Sequence, residues 1–95
     1  MLHILTRSPF EVNMILLVNF LKSDDDIVVL QDGVIIAING NVILNKFLSI
    51  PVKIYVLKND INARGIQKKI SNKVYVINYS EFVLLTIKHN KQMSW

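Results

Sequence analysis

The polar residues best placed for chemistry follow the apolar, strand-like segments of this 95-residue chain. In a parallel sheet the carboxyl ends of the strands meet at one edge, where ligands gather. Arg7, beside a predicted helix start, could hold an anion there. The glycines, at 33, 40 and 65, form neither a GxGxxG pattern nor a P-loop, so nucleotide binding is not predicted. The strand-end residues are Thr6–Ser8, Gln31–Gly33, Leu57–Asp60 and Asn78–Ser80.

Serine and histidine are the residue types of a nucleophile and its base, but the pattern does not bring them together. Ser8 is predicted to cap a helix, and His3 to be a hydrogen-bonded histidine of the core or of an interface. His89 is predicted to complement the carboxyl end of the last helix. Asp32 precedes a glycine, which is typical of a turn. With no cysteine and two histidines, neither a metal site nor a cofactor is predicted.

The elements that must position these residues alternate between short apolar strands and amphipathic helices. No hairpin signal separates the strands, which favours a parallel sheet. We therefore predict a small α/β fold in one domain, 1–95, with a mainly parallel sheet of four or five strands and helices on both faces. The four strands are predicted at Met1–Leu5, Ile27–Leu30, Val52–Leu57 and Val74–Ile77.

Helix signals lie between these strands. Ser8, Pro9 and Glu11 predict a helix start, and that helix would run to about Lys22. The run Asp24–Asp26 is predicted to be a solvated turn. Further helical pieces are predicted over 34–38, over 42–47, from Asn59 or Asp60 to Gly65, and from Ser80 and Glu81 to about Lys88.

Composition places this chain outside the membrane-spanning class. Its longest apolar runs, Met14–Val18 and Val34–Ile38, have five residues each, whereas a spanning helix needs about 20. The amino terminus lacks the pattern of a secretory signal, so a cytoplasmic location is expected. Yet 52% of the residues are hydrophobic and the mean hydropathy is +0.37. A chain this short buries only about 60–65% of its unfolded surface, so apolar side chains must remain outside or be covered by a partner.

Two predicted helices concentrate this excess. Between Phe10 and Leu21 only three residues are polar, and between Phe82 and Ile87 only Thr86 is. A helix on a sheet needs an apolar stripe of about 100°, so the rest faces another helix or another chain. The tail carries the only tryptophan, Trp95, which either frays or anchors on a partner. The predicted interface residues are Phe10, Met14, Leu17, Leu21, Phe82, Leu85, Met93 and Trp95.

The net charge of +4 raises the alternative of nucleic-acid binding. Basic residues are spread along the chain, and the densest stretch, Gln67–Lys73, holds only Lys68, Lys69 and Lys73. A phosphate-binding surface usually shows a clustered stripe. A solvated face is therefore the favoured interpretation, and direct contact with nucleic acid is not expected.

Short motifs along the whole chain resemble those of the TusB/DsrH family. Each motif alone is a weak signal, but the ordered series of motifs is specific. The resemblance implies a DsrE/DsrF/DsrH-like fold with a parallel sheet. The motifs are Met1–Leu5, Arg7–Pro9, Leu30–Val34, Gly40-Asn41, Pro51–Leu57, Asp60, Ala63–Gly65, Ile70-Ser71, Tyr79, Phe82-Val83, Leu85-Thr86, Lys88-His89, Gln92-Met93 and Trp95.

The resemblance also implies a role in a sulfur relay. One copy each of TusB-, TusC- and TusD-like subunits would form a trimer, and two trimers a heterohexamer with two copies of each. Such a complex receives persulfide sulfur from TusA and passes it through TusE to the tRNA thiouridylase. The product is the 2-thiouridine of 5-methylaminomethyl-2-thiouridine at the tRNA wobble position.

The same resemblance indicates which subunit carries sulfur. The sister subunit has its cysteine eight positions before the glycine of an Arg-Gly pair, and here that position is Leu57. A leucine cannot form a persulfide, which implies a noncatalytic, structural subunit. Because DsrH proteins of sulfur oxidisers carry a cysteine, sulfur oxidation is not expected. Two alternatives stay open: direct tRNA contact through the three lysines, and an enzyme using a pocket at Arg7 and Asp32.

Overall fold

The computed structural model, which describes residues 1–8 and 12–95, contains one sheet of five parallel strands. This confirms the α/β prediction, with the fifth strand that it allowed. The sheet order is fourth, third, second, first, fifth. The strands are β1 (Leu2–Leu5), β2 (Asp26–Val29), β3 (Lys53–Leu57), β4 (Tyr75–Ile77) and β5 (Gln92–Ser94).

The helices lie on both faces of the sheet. None of those in the described ranges is long and apolar enough to cross a membrane. Two 3₁₀ segments, Gln31–Ala37 and Gln67–Lys69, accompany the helices. The helices are α1 (Met14–Phe20), α2 (Val42–Leu48), α3 (Lys58–Ala63) and α4 (Tyr79–Lys88).

The order of the strands decides which face each helix covers. From β1 to β4 every crossover steps in the same direction, so right-handed connections place α1, α2 and α3 on one face. The chain then returns across the sheet from β4 to β5, which puts α4 on the opposite face. Two separate apolar cores follow: a large one beneath α1–α3 that includes Leu17 and Phe47, and a small one beneath α4 that includes Val28 and Leu85.

Gly33 lets the first 3₁₀ segment approach β1 closely. A Cβ on this glycine would lie 2.3 Å from the carbonyl oxygen of Leu5. The amide of Gly33 also donates to the carbonyl of Leu30 at 3.0 Å. The glycine is therefore required by space at this position, which the Asp-Gly turn signal did not predict.

The predicted start of the first helix falls partly outside the described residues. Pro9 and Glu11 lie outside the described residues, and α1 begins only at Met14, because the side chain of Asn13 caps it by accepting from the amide of Leu16 at 3.0 Å. The helix ends at Phe20 rather than Lys22.

Two of the other predicted helices agree with the structure, and two differ from it. Of the segment predicted over 34–38, residues 34–37 belong to a 3₁₀ segment, whereas α2 and α4 agree with prediction within about two residues. Helix α3 begins directly after β3, at Lys58, instead of at Asn59 or Asp60. The Asp60 carboxylate instead accepts from the amide of Gln31 at 2.7 Å, so it ties α3 to the first 3₁₀ segment.

Candidate carrier position and partner surfaces

Leu57, which the family resemblance places at the cysteine position of the sister subunit, is the last residue of β3 and is directly followed by α3. It is 7% exposed, and its register partner in β4 is Ile77. A buried aliphatic side chain therefore occupies the position where the resemblance expects the thiol of a carrier subunit. It can pack, but it has no atom that can hold transferable sulfur.

Charged side chains beside this position form a clamp. Arg64 Nη2 lies 2.8 Å from Asp32 Oδ1, and Arg64 Nη1 donates to the carbonyl of Asp60 at 3.3 Å. Together with the Asp60–Gln31 bond, these contacts hold α3 against the first 3₁₀ segment. Asp32 thus pairs with Arg64, and within the described residues no hydrogen bond joins it to Arg7. The acid of the alternative Arg7/Asp32 pocket is therefore already paired with Arg64.

At the opposite end of the sheet, Asp25 collects three hydrogen bonds. It accepts from the Met1 ammonium at 2.9 Å, from the amide of Lys22 at 3.0 Å, and lies 2.9 Å from His3 Nε2. Burial alone would raise the pKa of Asp25, but the hydrogen bonds from His3, the ammonium and the amide outweigh it and leave this pKa lowered. The solvated turn predicted over Asp24–Asp26 is therefore wrong for Asp25, which is 6% exposed.

Asp26 is also buried, and its carboxylate binds side chains at the end of α4. His89 Nε2 lies 2.7 Å from its Oδ2, and Lys88 Nζ donates to the same oxygen at 3.1 Å. The hydrogen bond with Asp26 and the negative charge of Asp26 raise the pKa of Lys88. His89 was predicted to complement the helix end; it instead pairs with the carboxylate that β2 places beneath α4. In the described ranges no group of three or more acidic or histidine side chains could hold a metal ion.

The carboxyl-terminal residue packs within the chain itself. Trp95 Nε1 donates to His3 Nδ1 at 3.1 Å, and the Trp95 amide donates to the carbonyl of Ile4 at 2.9 Å. The Phe20 ring meets the indole edge-on, with centroids 5.7 Å apart. His3 has no exposed surface, which confirms it as a hydrogen-bonded core histidine. The tail is not frayed: it forms β5 and ends in an anchored tryptophan.

One exposed apolar surface lies on the side of α1 and α2. We call it the α1–α2 surface: Ile15, Leu16, Phe20 and Val42. Ile15 is 77% and Val42 68% exposed. Between the helices lie two adjoining depressions of about 320 and 560 Å³ that share Met14 and Ile15. Their linings are mostly apolar, and among the described residues that line them Lys46 is the one that carries a charge.

A second exposed apolar surface lies on the other side of the sheet. We call it the α4 surface: Tyr75, Tyr79, Val83, Leu84 and Ile87. Leu84 is 64% and Ile87 72% exposed. The ring of Tyr75 contacts that of Tyr55 on the sheet, with centroids 5.3 Å apart. Beside α4 a depression of about 260 Å³ opens onto Tyr55, Ile77, Glu81, Leu84, Leu85 and Lys88.

The predicted interface residues fall into three groups. Leu17 is fully buried and Leu85 is 8% exposed, so both belong to the chain's own cores and are unavailable to a partner. Phe10 lies outside the described residues. The half-buried ones, which retain some accessible surface, are Met14, Leu21, Phe82, Met93 and Trp95.

The most exposed members of the two surfaces, Ile15, Ile87, Val42 and Leu84, were not among the predicted interface residues. The excess of apolar residues on α1 and α4 was visible, but which side of each helix faces the sheet was not. The helical spacing from Ser80 through Leu84 to Ile87 could have marked one outward stripe. The exposed residues Lys68, Lys69 and Lys73 lie in or just after the second 3₁₀ segment.

Comparison with known proteins agrees with this architecture. The solution NMR structure of protein Tm0979 from Thermotoga maritima is 30% identical, with a TM-score of 0.67 over 96% of this chain and 97% of that chain. The crystal structure of the ychN protein from E. coli has a TM-score of 0.78 over 99% of this chain and 97% of the other, at 16% identity, so it supports the fold alone.

Sequence relatives extend the comparison along the full chain. "Protein TusB" from Buchnera aphidicola subsp. Baizongia pistaciae (strain Bp) is 59% identical over 95 residues, which is 100% of both chains. "Protein TusB" from Escherichia coli O1:K1 / APEC is 43% identical over the same length, again 100% of both. A family profile described as "DsrH like protein" matches residues 7–92. With its five-stranded parallel sheet and these relatives, the chain belongs to the DsrH-like family of TusB proteins.

Proposed function

We propose that this chain is a noncatalytic subunit of a cytoplasmic TusBCD-type sulfur-relay complex, which supports 2-thiolation of the wobble uridine in tRNA. Its partners are TusC-like and TusD-like subunits, with two copies of each subunit in a heterohexamer. TusA, TusE and the tRNA thiouridylase act before and after this complex. Membership of the family and two full-length relatives named "Protein TusB" support the proposal.

The observation that carries the proposal is the pair of exposed apolar surfaces on opposite faces of the sheet. Ile15 on one side and Ile87 on the other are each more than 70% exposed, on a chain of only 95 residues. Burying one such side chain contributes about 1.5–3 kcal/mol. Contiguous apolar patches of this kind mark protein interaction sites. A subunit enclosed between partners accounts for both surfaces.

The noncatalytic role rests on the carrier position. Sulfur transfer from a persulfide requires a thiolate that attacks the outer sulfur atom, and the chain contains no cysteine. Leu57, at the position that the resemblance aligns with the thiol of the sister subunit, is buried. The thiol therefore comes from the TusD-like subunit, and this chain contributes apolar contact area that positions that subunit.

The test is co-expression of the tagged chain with TusC-like and TusD-like proteins from the same source. We expect native mass spectrometry to find two copies of each subunit. Deleting the gene should also abolish 2-thiouridine in tRNA digests, and the wild-type chain should restore it. A stable monomer that captures neither partner, or normal 2-thiouridine after the deletion, would contradict the proposal.

A basic module that contacts tRNA directly remains the alternative. It requires salt-dependent tRNA binding by the isolated chain, lost when Lys68, Lys69 and Lys73 are changed to Gln. The matched control is the same substitution at Lys46, which lies in the α1–α2 depression. Binding that disappears only in the triple variant would favour this alternative over the structural role.

A further inference from the structure

We propose that the α4 surface binds the α4 surface of a second copy of this chain, with the two helices antiparallel about a two-fold axis. The inference deepens the proposed function, because a complex with two copies of each subunit needs a contact that relates its halves. It concerns only this chain's own residues, so it can be tested apart from the identity of the other subunits.

The first argument is the coverage of the sheet. In the described part of the chain, three helices cover one face, whereas α4 alone covers the other, beneath which the second core is small. The sheet beside α4 therefore stays open at Tyr55 and Tyr75. The depression there, about 260 Å³, runs along the helix from Glu81 to Lys88. A second helix laid beside α4 would cover the space that the fold leaves unfilled.

The second argument is charge. Glu81 lies in the first turn of α4 and Lys88 in the last, seven residues apart, or about 10 Å along the axis. Leu84 lies near their midpoint. When two copies pair antiparallel, Glu81 of each faces Lys88 of the other, so the contact repeats itself as a two-fold interface requires.

Both charged residues retain capacity for this contact. Lys88 donates to Asp26, and as an ammonium it has three N–H donors. Its side chain is 59% exposed. One oxygen of Glu81 accepts from the amide of Asn78 in the capping box, which leaves the other oxygen for a second donor. The intramolecular hydrogen bonds therefore orient Glu81 and Lys88 and still leave each side chain able to form another hydrogen bond.

The α1–α2 surface lacks this self-complementarity. Of the described residues that line its depressions, Lys46 alone is charged, so two copies facing each other would place lysine against lysine. That surface suits a different subunit that presents carboxylates. The two surfaces thus separate into one for a second copy and one for another chain.

Single cysteines test the pairing cleanly, because the chain has none of its own. Leu84→Cys places a thiol near the proposed axis, and Ile15→Cys places one on the opposite face as the matched control; both positions are exposed. Each variant is treated with a short bis-maleimide, as the co-purified complex and as the isolated chain. We expect Leu84→Cys alone to give a product of twice the 10.9 kDa chain mass.

A second variant, Leu84→Asp, should halve the mass of the complex while all three kinds of subunit remain bound. Cross-linking of Leu84→Cys to a TusC-like or TusD-like subunit would overturn the inference, as would equal homodimer yields from both positions or none from position 84. If no complex assembles, the proposed function fails. Cross-linking of the isolated chain then still decides the pairing.

Discussion

The indole nitrogen of Trp95, the last residue, donates a hydrogen bond to Nδ1 of His3 in the first strand at 3.1 Å. An indole N–H can only donate, so Nδ1 must be the unprotonated acceptor. The ring proton then lies on Nε2, which donates to Asp25 Oδ2 at 2.9 Å. Since the Met1 ammonium also binds Asp25, one network of hydrogen bonds joins Met1 to Trp95.

Replacing Trp95 with Phe should destabilise the protein by about 1–3 kcal/mol, because it leaves the buried Nδ1 of His3 without a donor. The ring contact with Phe20 would largely remain. Urea unfolding measures the difference. Tyr79→Phe, at an exposed position, is the control and should change stability by less than about 0.5 kcal/mol. An equal effect of both substitutions would contradict the proposed role of the hydrogen bond.

Asp25 should make stability depend on pH in the acid range. Its pKa in the folded protein lies below the usual value of 3.8, because hydrogen bonds from His3, the ammonium and Lys22 outweigh the effect of burial. The unfolded state therefore binds more protons, and the stabilisation is present above 3.8 and lost as pH falls through the folded-state pKa.

Asp25→Asn should accordingly lower the free energy of unfolding at neutral pH and flatten its decline in acid. Urea unfolding of both proteins from neutral pH to about pH 2 compares the slopes. Because Asp24 is exposed, Asp24→Asn is the matched control. The idea would fail if Asp24→Asn and Asp25→Asn flattened the profile equally.

Neighbouring residues of α1 should respond in opposite ways to the same substitution. Leu17 is fully buried, so Leu17→Ser should cost several kcal/mol, on the order of 2–5. Ile15 is 77% exposed, so Ile15→Ser should leave stability within about 0.5 kcal/mol. Ile15→Ser should instead reduce the amount of TusC-like and TusD-like subunits that co-purify with the tagged chain. Unchanged co-purification would speak against Ile15 as part of a contact surface.

Gly33→Ala should destabilise the fold by about 1–3 kcal/mol, because the new Cβ would overlap the Leu5 carbonyl oxygen and push the 3₁₀ segment away from β1. Gly40 offers the control, because its φ is 86° and no atom of the described residues lies within 4 Å of the place that a Cβ would take. Gly40→Asn tolerates that backbone conformation and should cost less. Thermal unfolding compares the two, and equal losses would refute the close-approach argument.

The sequence by itself determined the class of the fold and the position of most elements. Alternation of apolar runs with capped helices predicted the parallel sheet, and β3 and α4 lie within one or two residues of their predicted bounds. The lack of cysteine also follows from sequence alone. These features depend on local periodicity and on residue identity, which are readable without a tertiary structure.

Long-range pairing decided the rest. Gln92–Ser94 is too short and too polar to predict as a strand, and it becomes β5 because β1 offers it an open edge. The local sequence predicted a solvated turn at Asp25 and Asp26. Both are buried instead, because they pair with His3 and His89, which are distant in the sequence. Which side of α1 and α4 is exposed depends on how each helix lies on the sheet. Only the three-dimensional packing therefore separated Leu17 and Leu85, which belong to the core, from Ile15 and Leu84, which face outward.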